Sequence, residues 1–288
     1  MIILLRSLQF CLRIIFYAPA GSALAAMRFF GWVTQAIAKR TRLRKTVAQN
    51  VKMVFPERNA QRIADGLIEN VSYSIFELLC LPFFKDRHFK SIFRFEGQPF
   101  LDQALREGKG AILLTMHAGN YEVVPAALAN LGYRVNSVLR ASQDPIFEFL
   151  NYCRSKGGVN IINVAEQDMY RETLNVLRKN EIVGTLADTG ALESRHVLYK
   201  FLDREVPVAT YWLTLAQRSG SAVVLILTRK QGKINFIRLY EPFKVTKENR
   251  DEVMQKAASV FESFIRQYPE QWGIFLNSYE TKRMAQGK

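Results

Sequence analysis

The chain predicts an α/β fold: a mixed, largely parallel sheet flanked by helices, with an N-terminal membrane-associated helical segment. Three observations lead there. From about residue 92 onward, short apolar runs alternate with amphipathic stretches of helical length. The apolar runs are nearly continuous, as strands buried on both faces of a parallel sheet require. Ahead of them lies a segment with few charges that ends in a dense basic run.

Residues 1–40 read as the anchor and residues 41–288 as the main domain. From Ile14 to Ala38 the only charged residue is Arg28, and Met1 to Arg13 is apolar apart from Arg6, Ser7, Gln9 and Arg13. Lys39-Arg40-Thr41-Arg42-Leu43-Arg44-Lys45 then sets five cations in seven residues. A secretory signal is one reading, since Arg6 and Arg13 precede an apolar stretch with small residues, but the basic run just downstream resists export. A transmembrane helix has the length it needs, yet Pro19, Gly21, Arg28 and Gly31 weaken it. An interfacial helical hairpin would lay the basic run on lipid headgroups. Membrane attachment by one of the last two routes is expected. The order of apolar segment and then basic run places the main domain in the cytoplasm.

Arg44 to Val54 reads as a helix through Val47, Val51 and Val54, ended by Phe55-Pro56. Asn59 caps the next one, with Ile63, Leu67, Val71, Ile75 and Leu78 on one stripe. Strands are expected at 110–116, 133–139, 159–164, 182–187, 222–228 and 234–240. Helices are expected between them at 98–107, 121–130, 145–156, 167–179 and 208–218, and a last one near 250–267. Such alternation implies a sheet covered by helices. Asn120 is placed to cap the helix 121–130.

The chain has 288 residues, 49% of them apolar, enough for a sizeable core. Its formal charge of +14 comes from 40 Lys plus Arg against 26 Asp plus Glu. An excess of that size calls for an anionic partner: nucleic acid, an anionic membrane surface or an acidic protein. No nucleic-acid module is visible, so no nucleic-acid partner is expected. Cys11, Cys80 and Cys153 have no motif spacing, and the three histidines are His88, His117 and His196. Neither a disulfide framework nor a metal site is expected. Phosphate-cradling GxxxxGK[ST], GxGxxG, HExxH and GxSxG are all absent, so no cofactor and no serine nucleophile is expected.

His117-Ala118-Gly119-Asn120-Tyr121-Glu122 carries the chemistry. It puts a histidine at the carboxyl end of the buried run Ala111 to Met116, the edge where open α/β sheets bind ligands. A carboxylate follows five positions later. Histidine there can take a proton from a hydroxyl or amine, and a carboxylate can fix its tautomer. Arg140 and Asp188 follow other strands and fall at the same edge if the sheet is parallel there. A cation among them would hold a phosphate or an oxyanion. Asp188 also suits a turn, in Asp-Thr-Gly. Arg154 reads as a helix C-terminal cation before Gly157, with a phosphate contact as the alternative.

These pieces resemble the bacterial lysophospholipid acyltransferase superfamily, and within it the late (lauroyl/myristoyl) lipid A acyltransferases. His117 to Glu122 is similar to the HxGNxE form of that family's HX4[DE] signature. Asn50 to Glu57 and Asn70 to Glu77 resemble its helical region upstream. Arg140 and Asp188 match its strand-end residues, Phe201 to Gly220 a further block, and Pro269-Glu270-Gln271-Trp272 its PEQW. There are two departures: Thr189 stands where the family has Gln or His, and Gly273 to Glu280 lacks the cations that follow PEQW.

The resemblance implies an acyltransferase. His117 would be general base on an acceptor hydroxyl or amine, and Glu122 would orient it. Arg140, Asp188, Asn120 and Arg154 would contact substrate. The donor would be an acyl-carrier protein thioester, whose acidity suits a basic chain, or else acyl-CoA. The acceptor would be a membrane lipid, at the bacterial inner membrane with the catalytic domain facing the cytoplasm. A thioesterase-like hydrolase and a non-catalytic membrane-associated scaffold on the same fold stand as alternatives.

Overall fold

The computed structural model describes residues 7, 9–10, 13–16, 20–188 and 196–286. Among these, seven strands form one sheet: β1 (Phe93–Glu96), β2 (Ala111–Thr115), β3 (Val135–Arg140), β4 (Asn160–Val164), β5 (Ile182–Leu186), and then β8 (Ala222–Gln231) and β9 (Ile234–Leu239). Between β5 and β8, β6 (His196–Phe201) and β7 (Arg204–Ala209) form a separate antiparallel hairpin. The order across the large sheet is β1-β9-β8-β2-β5-β3-β4. Every pairing is parallel except the β8–β9 hairpin.

Central strands β2 and β8 are buried along most of their length, which is why they read as unbroken apolar runs. Their side chains alternate between two cores. Ile112, Leu114, Val223 and Leu225 face one core, built with the helices Tyr211–Ser219 and Arg250–Gln267. Ala111, Leu113, Val224 and Ile226 face the other, with Gln98–Leu105, Val124–Asn130 and Pro145–Lys156. The result is a layer of sheet between two layers of helix.

Ahead of the sheet come α1 (Ala20–Ala38), α2 (Arg42–Val54) and α3 (Ala60–Cys80), followed by the short helix Asp86–Ile92. Asn59 caps α3, its side chain accepting from the Arg62 amide at 3.1 Å. Ile63 and Leu67 are buried as expected, but Ile75 is 45% exposed. The buried face runs instead through Ala64, Ile68, Ser72 and Phe76, which are spaced at 4 residues and so hold one side of the helix. Gly31 lets α1 lie close to α3, since a Cβ there would come within 2.5 Å of the Tyr73 ring. No helix among the described residues is long and apolar enough to cross a membrane. Outward, α1 exposes Phe29, Trp32 and Ile37.

Expected boundaries hold to within a few residues, with informative exceptions. The helix expected at 121–130 begins at Val124, because Pro125 suits the first turn and residues 121–123 form a turn. Asn120 is therefore not its cap. Strand β1 and the β6–β7 hairpin were not expected, being short or partly charged, and β7 takes the start of the helix expected at 208–218.

One buried charge network ties α3 to the sheet. Glu77 accepts from the Lys230 ammonium of β8 and, at 2.8 Å, from the Asn235 side chain of β9. Glu77 and Lys230 are 3% and 5% exposed, so each charge depends on the other. Replacing Lys230 by Met is expected to cost about 3–5 kcal/mol, because it leaves an uncompensated carboxylate in the interior. The double variant Glu77→Gln/Lys230→Met should recover most of that loss. Urea unfolding of the two single variants and the double one measures it; additive losses would mean that the pair is not coupled.

A histidine–aspartate pair at the strand ends

Register brings the site together. β2 and β5 are neighbours, with Thr115 opposite Leu186. Two residues further along each strand stand His117 and Asp188, and the Ala187 amide donates to the Thr115 carbonyl at 2.8 Å to carry the pairing past the strand ends. His117 Nδ1 lies 2.8 Å from Asp188 Oδ1. The backbone amide of His117 also donates to both Asp188 oxygens, at 3.1 and 3.0 Å. An ionised carboxylate only accepts, so in the neutral ring Nδ1 carries the hydrogen and Nε2 keeps its lone pair. Nε2 has no hydrogen-bond partner among the described residues, and the His117 side chain is 24% exposed.

Trp272 fixes the other side of Asp188, its Nε1 donating to Oδ2 at 2.9 Å. The same segment clamps the histidine turn: the Gly273 amide donates to the His117 carbonyl at 2.6 Å and the Gly119 amide to the Gln271 carbonyl at 2.8 Å. Gln271 is held in turn by its side-chain amide, which pairs with both backbone groups of Lys230 at 3.0 Å. Gly119 sits at φ +57° with its Cα against β8; a Cβ would stand 2.2 Å from the Thr228 carbonyl oxygen. Only glycine meets both demands.

The other expected site residues fall into two groups. Glu122 does not reach His117 by a hydrogen bond. It lies in the turn 121–123 and accepts from Arg154 Nε and Nη2 at 2.9 and 2.7 Å. Its charge still acts on His117, as does that of Glu280. Arg154 stands in the last turn of Pro145–Lys156 before Gly157, as expected, and turns to Glu122 and Asn151. Asn120 is 1% exposed and donates to Glu77 at 2.5 Å as part of the buried network. Arg140 ends β3, one strand beyond β5 in the sheet; its side chain, like Thr189 and Gly190, lies outside the described residues. Tyr121 stacks edge-on against the His117 ring at 4.9 Å, and burial, followed by the charge of Glu122, pushes its hydroxyl well above the usual range.

Sequence reasoning missed Glu77, Lys230, Gln271 and Trp272 as parts of the site. A signal existed for two of them: Glu77 is a lone charge amid Phe76, Leu78 and Leu79, and Lys230 keeps the period-2 alternation of the apolar run Ala222 to Leu227. Gln271 and Trp272 entered only through a motif match. Among the described residues, no group of three His, Cys, Asp or Glu is placed to hold a metal ion.

Over residues 6–281 the chain matches the family described as bacterial lipid A biosynthesis acyltransferase. The chain belongs to that family. No individual curated protein matches it. Membership makes it an acyltransferase acting on a lipid acceptor.

Burial alone would lower the pKa of His117. The hydrogen bond and charge of Asp188, joined by the charges of Glu122 and Glu280, outweigh it and raise the value above 6.5. The folded state thus holds this proton more tightly than the unfolded chain. The resulting stabilisation is complete below about pH 6.5 and is lost as pH rises through the raised native value. Asp188→Asn should bring the His117 midpoint down, since burial then acts with less opposition. Side-chain NMR titration checks this; an unchanged midpoint would mean that Asp188 is not what holds the proton.

Proposed function

We propose that the protein moves a fatty acyl chain from an acyl thioester to a hydroxyl or amine of a membrane lipid or glycolipid, with His117 as general base. The observation that carries this reading is the His117 ring itself: Nδ1 fixed on Asp188, and Nε2 without a partner among the described residues at the edge of a parallel sheet. Nε2 takes the acceptor proton as its oxygen or nitrogen bonds to the thioester carbonyl carbon. The carbon–sulfur bond then breaks, and the imidazolium returns its proton to the departing thiolate. No enzyme nucleophile takes part.

In this reading Asp188 is the positioning carboxylate, because it touches the ring and is itself held by Trp272. Glu122, salt-bridged to Arg154, contributes through its charge. Arg140, at the end of β3, supplies the cation for the oxyanion or an acceptor phosphate. An acyl-carrier protein is the donor that a +14 chain suits best, with acyl-CoA second. The reaction takes place at the cytoplasmic face of the inner membrane, with Phe29, Trp32 and Ile37 of α1 against the bilayer.

Lipid extracts of cells carrying the wild-type protein should contain a species heavier by one acyl chain that His117→Ala cells lack, as mass spectrometry would show. With purified protein, His117→Ala should lose about 10²–10⁴-fold in rate. Asp188→Asn should lose more than Glu122→Gln. If Glu122→Gln is the more damaging of the two, the assignment of Asp188 as the positioning carboxylate is wrong. Free fatty acid in place of an acylated lipid would mean a thioesterase.

A further inference from the structure

A second cluster lies apart from the strand-end site. The α2–α3 hairpin bounds a groove of about 640 Å³, lined by Lys39, Arg44, Lys45, Lys52 and Arg58 and by no acidic residue. Its cations come from three places in the chain: the end of α1, the outer face of α2 and the turn into α3. Folding therefore concentrates what the basic run alone does not, since Lys52 and Arg58 lie outside that run. Arg44 is held by Asp65 at 2.6 and 2.8 Å. Lys39 lies 3.8 Å from Glu69 and Arg58 3.5 Å from Glu57. Lys45 and Lys52 are exposed, with no ion pair among the described residues.

The exposed apolar side chains of α1 come just before this groove along the chain. Phe29, Trp32 and Ile37 are 57%, 57% and 61% exposed, and Lys39, two residues past Ile37, is a groove residue. Apolar side chains that continue into a concave basic site match the chemistry of a lipid surface: acyl boundary first, phosphate headgroup next. A soluble acidic protein would use the charge but not the apolar stripe.

We infer that this groove binds the phosphate of an anionic phospholipid headgroup and so sets the protein's seat on the membrane. The inference rests on the proposed acyl transfer at a membrane only for its purpose. Binding can be measured with no acyl donor present, so its failure and the failure of the acyltransfer reading are separable. The test is sedimentation of the full chain with vesicles of phosphatidylglycerol and phosphatidylcholine, against vesicles of phosphatidylcholine alone.

Lys45→Gln/Lys52→Gln should weaken binding to the anionic vesicles about 25-fold, at about fivefold per cation. Both positions are exposed on a helix that accepts Gln, so an unchanged melting temperature should accompany the loss. The control Lys179→Gln/Lys247→Gln removes the same charge from exposed positions outside the groove and should leave binding within about twofold. Equal losses in both pairs would mean diffuse charge attraction and would overturn the site. Undiminished binding by the groove variant would overturn it too. Soluble glycerol 3-phosphate should compete only weakly; if it binds as well as the vesicles do, the groove is a site for a free phosphate and not for a lipid.

Discussion

The in-register parallel pairing of β2 with β5 is the constraint on which the site depends. It sets Thr115 opposite Leu186 and so delivers His117 and Asp188 to the same point of the sheet edge. Strand pairing is stiff, and a slip of one residue would turn each side chain to the opposite face. The 2.8 Å contact between ring and carboxylate is thus held by the hydrogen-bond ladder of the central sheet rather than by loop geometry. Rigid elements hold such a pair more tightly than loops can.

Around that pair the structure spends buried polar groups freely. Trp272 orients Asp188, Gln271 joins the histidine turn to β8, and Glu77 gathers Asn120, Lys230 and Asn235. Each of these would be costly if unpaired in the interior, and together they leave the turn 117–120 little freedom. The two carboxylates nearest His117 divide the work. Asp188 meets the ring directly, while Glu122 is held by Arg154 and acts through space. Both favour the charged imidazolium, which is the state that His117 must reach in the proposed reaction.

Much of the fold was legible in the sequence because parallel strands buried on both faces leave apolar runs too dense to miss. The helix Arg250–Gln267 and the helix Pro145–Lys156 were read to the residue, each with a regular period and clear ends. What was not legible was short or polar. β1 has four residues, two of them charged, and β6 and β7 carry Lys200, Arg204 and Glu205 at the turn that joins them. The stripe on α3 was read through Ile75, though the helix turns its buried face to Phe76; with apolar residues on several sides, period alone does not choose the face.

By itself the sequence determined the fold class, the family-like motifs and the histidine at a strand end, because those follow from local periodicity and residue type. It pointed to Glu122 as the partner of His117, where the fold supplies Asp188. Five residues of separation looked closer than seventy-one. Distance along the chain does not measure distance in space once two strands pair, and strand order is a property of the whole sheet. Only the tertiary structure put β5 beside β2, closed Asn120 into the interior and joined Lys52 and Arg58 to the basic run in one groove.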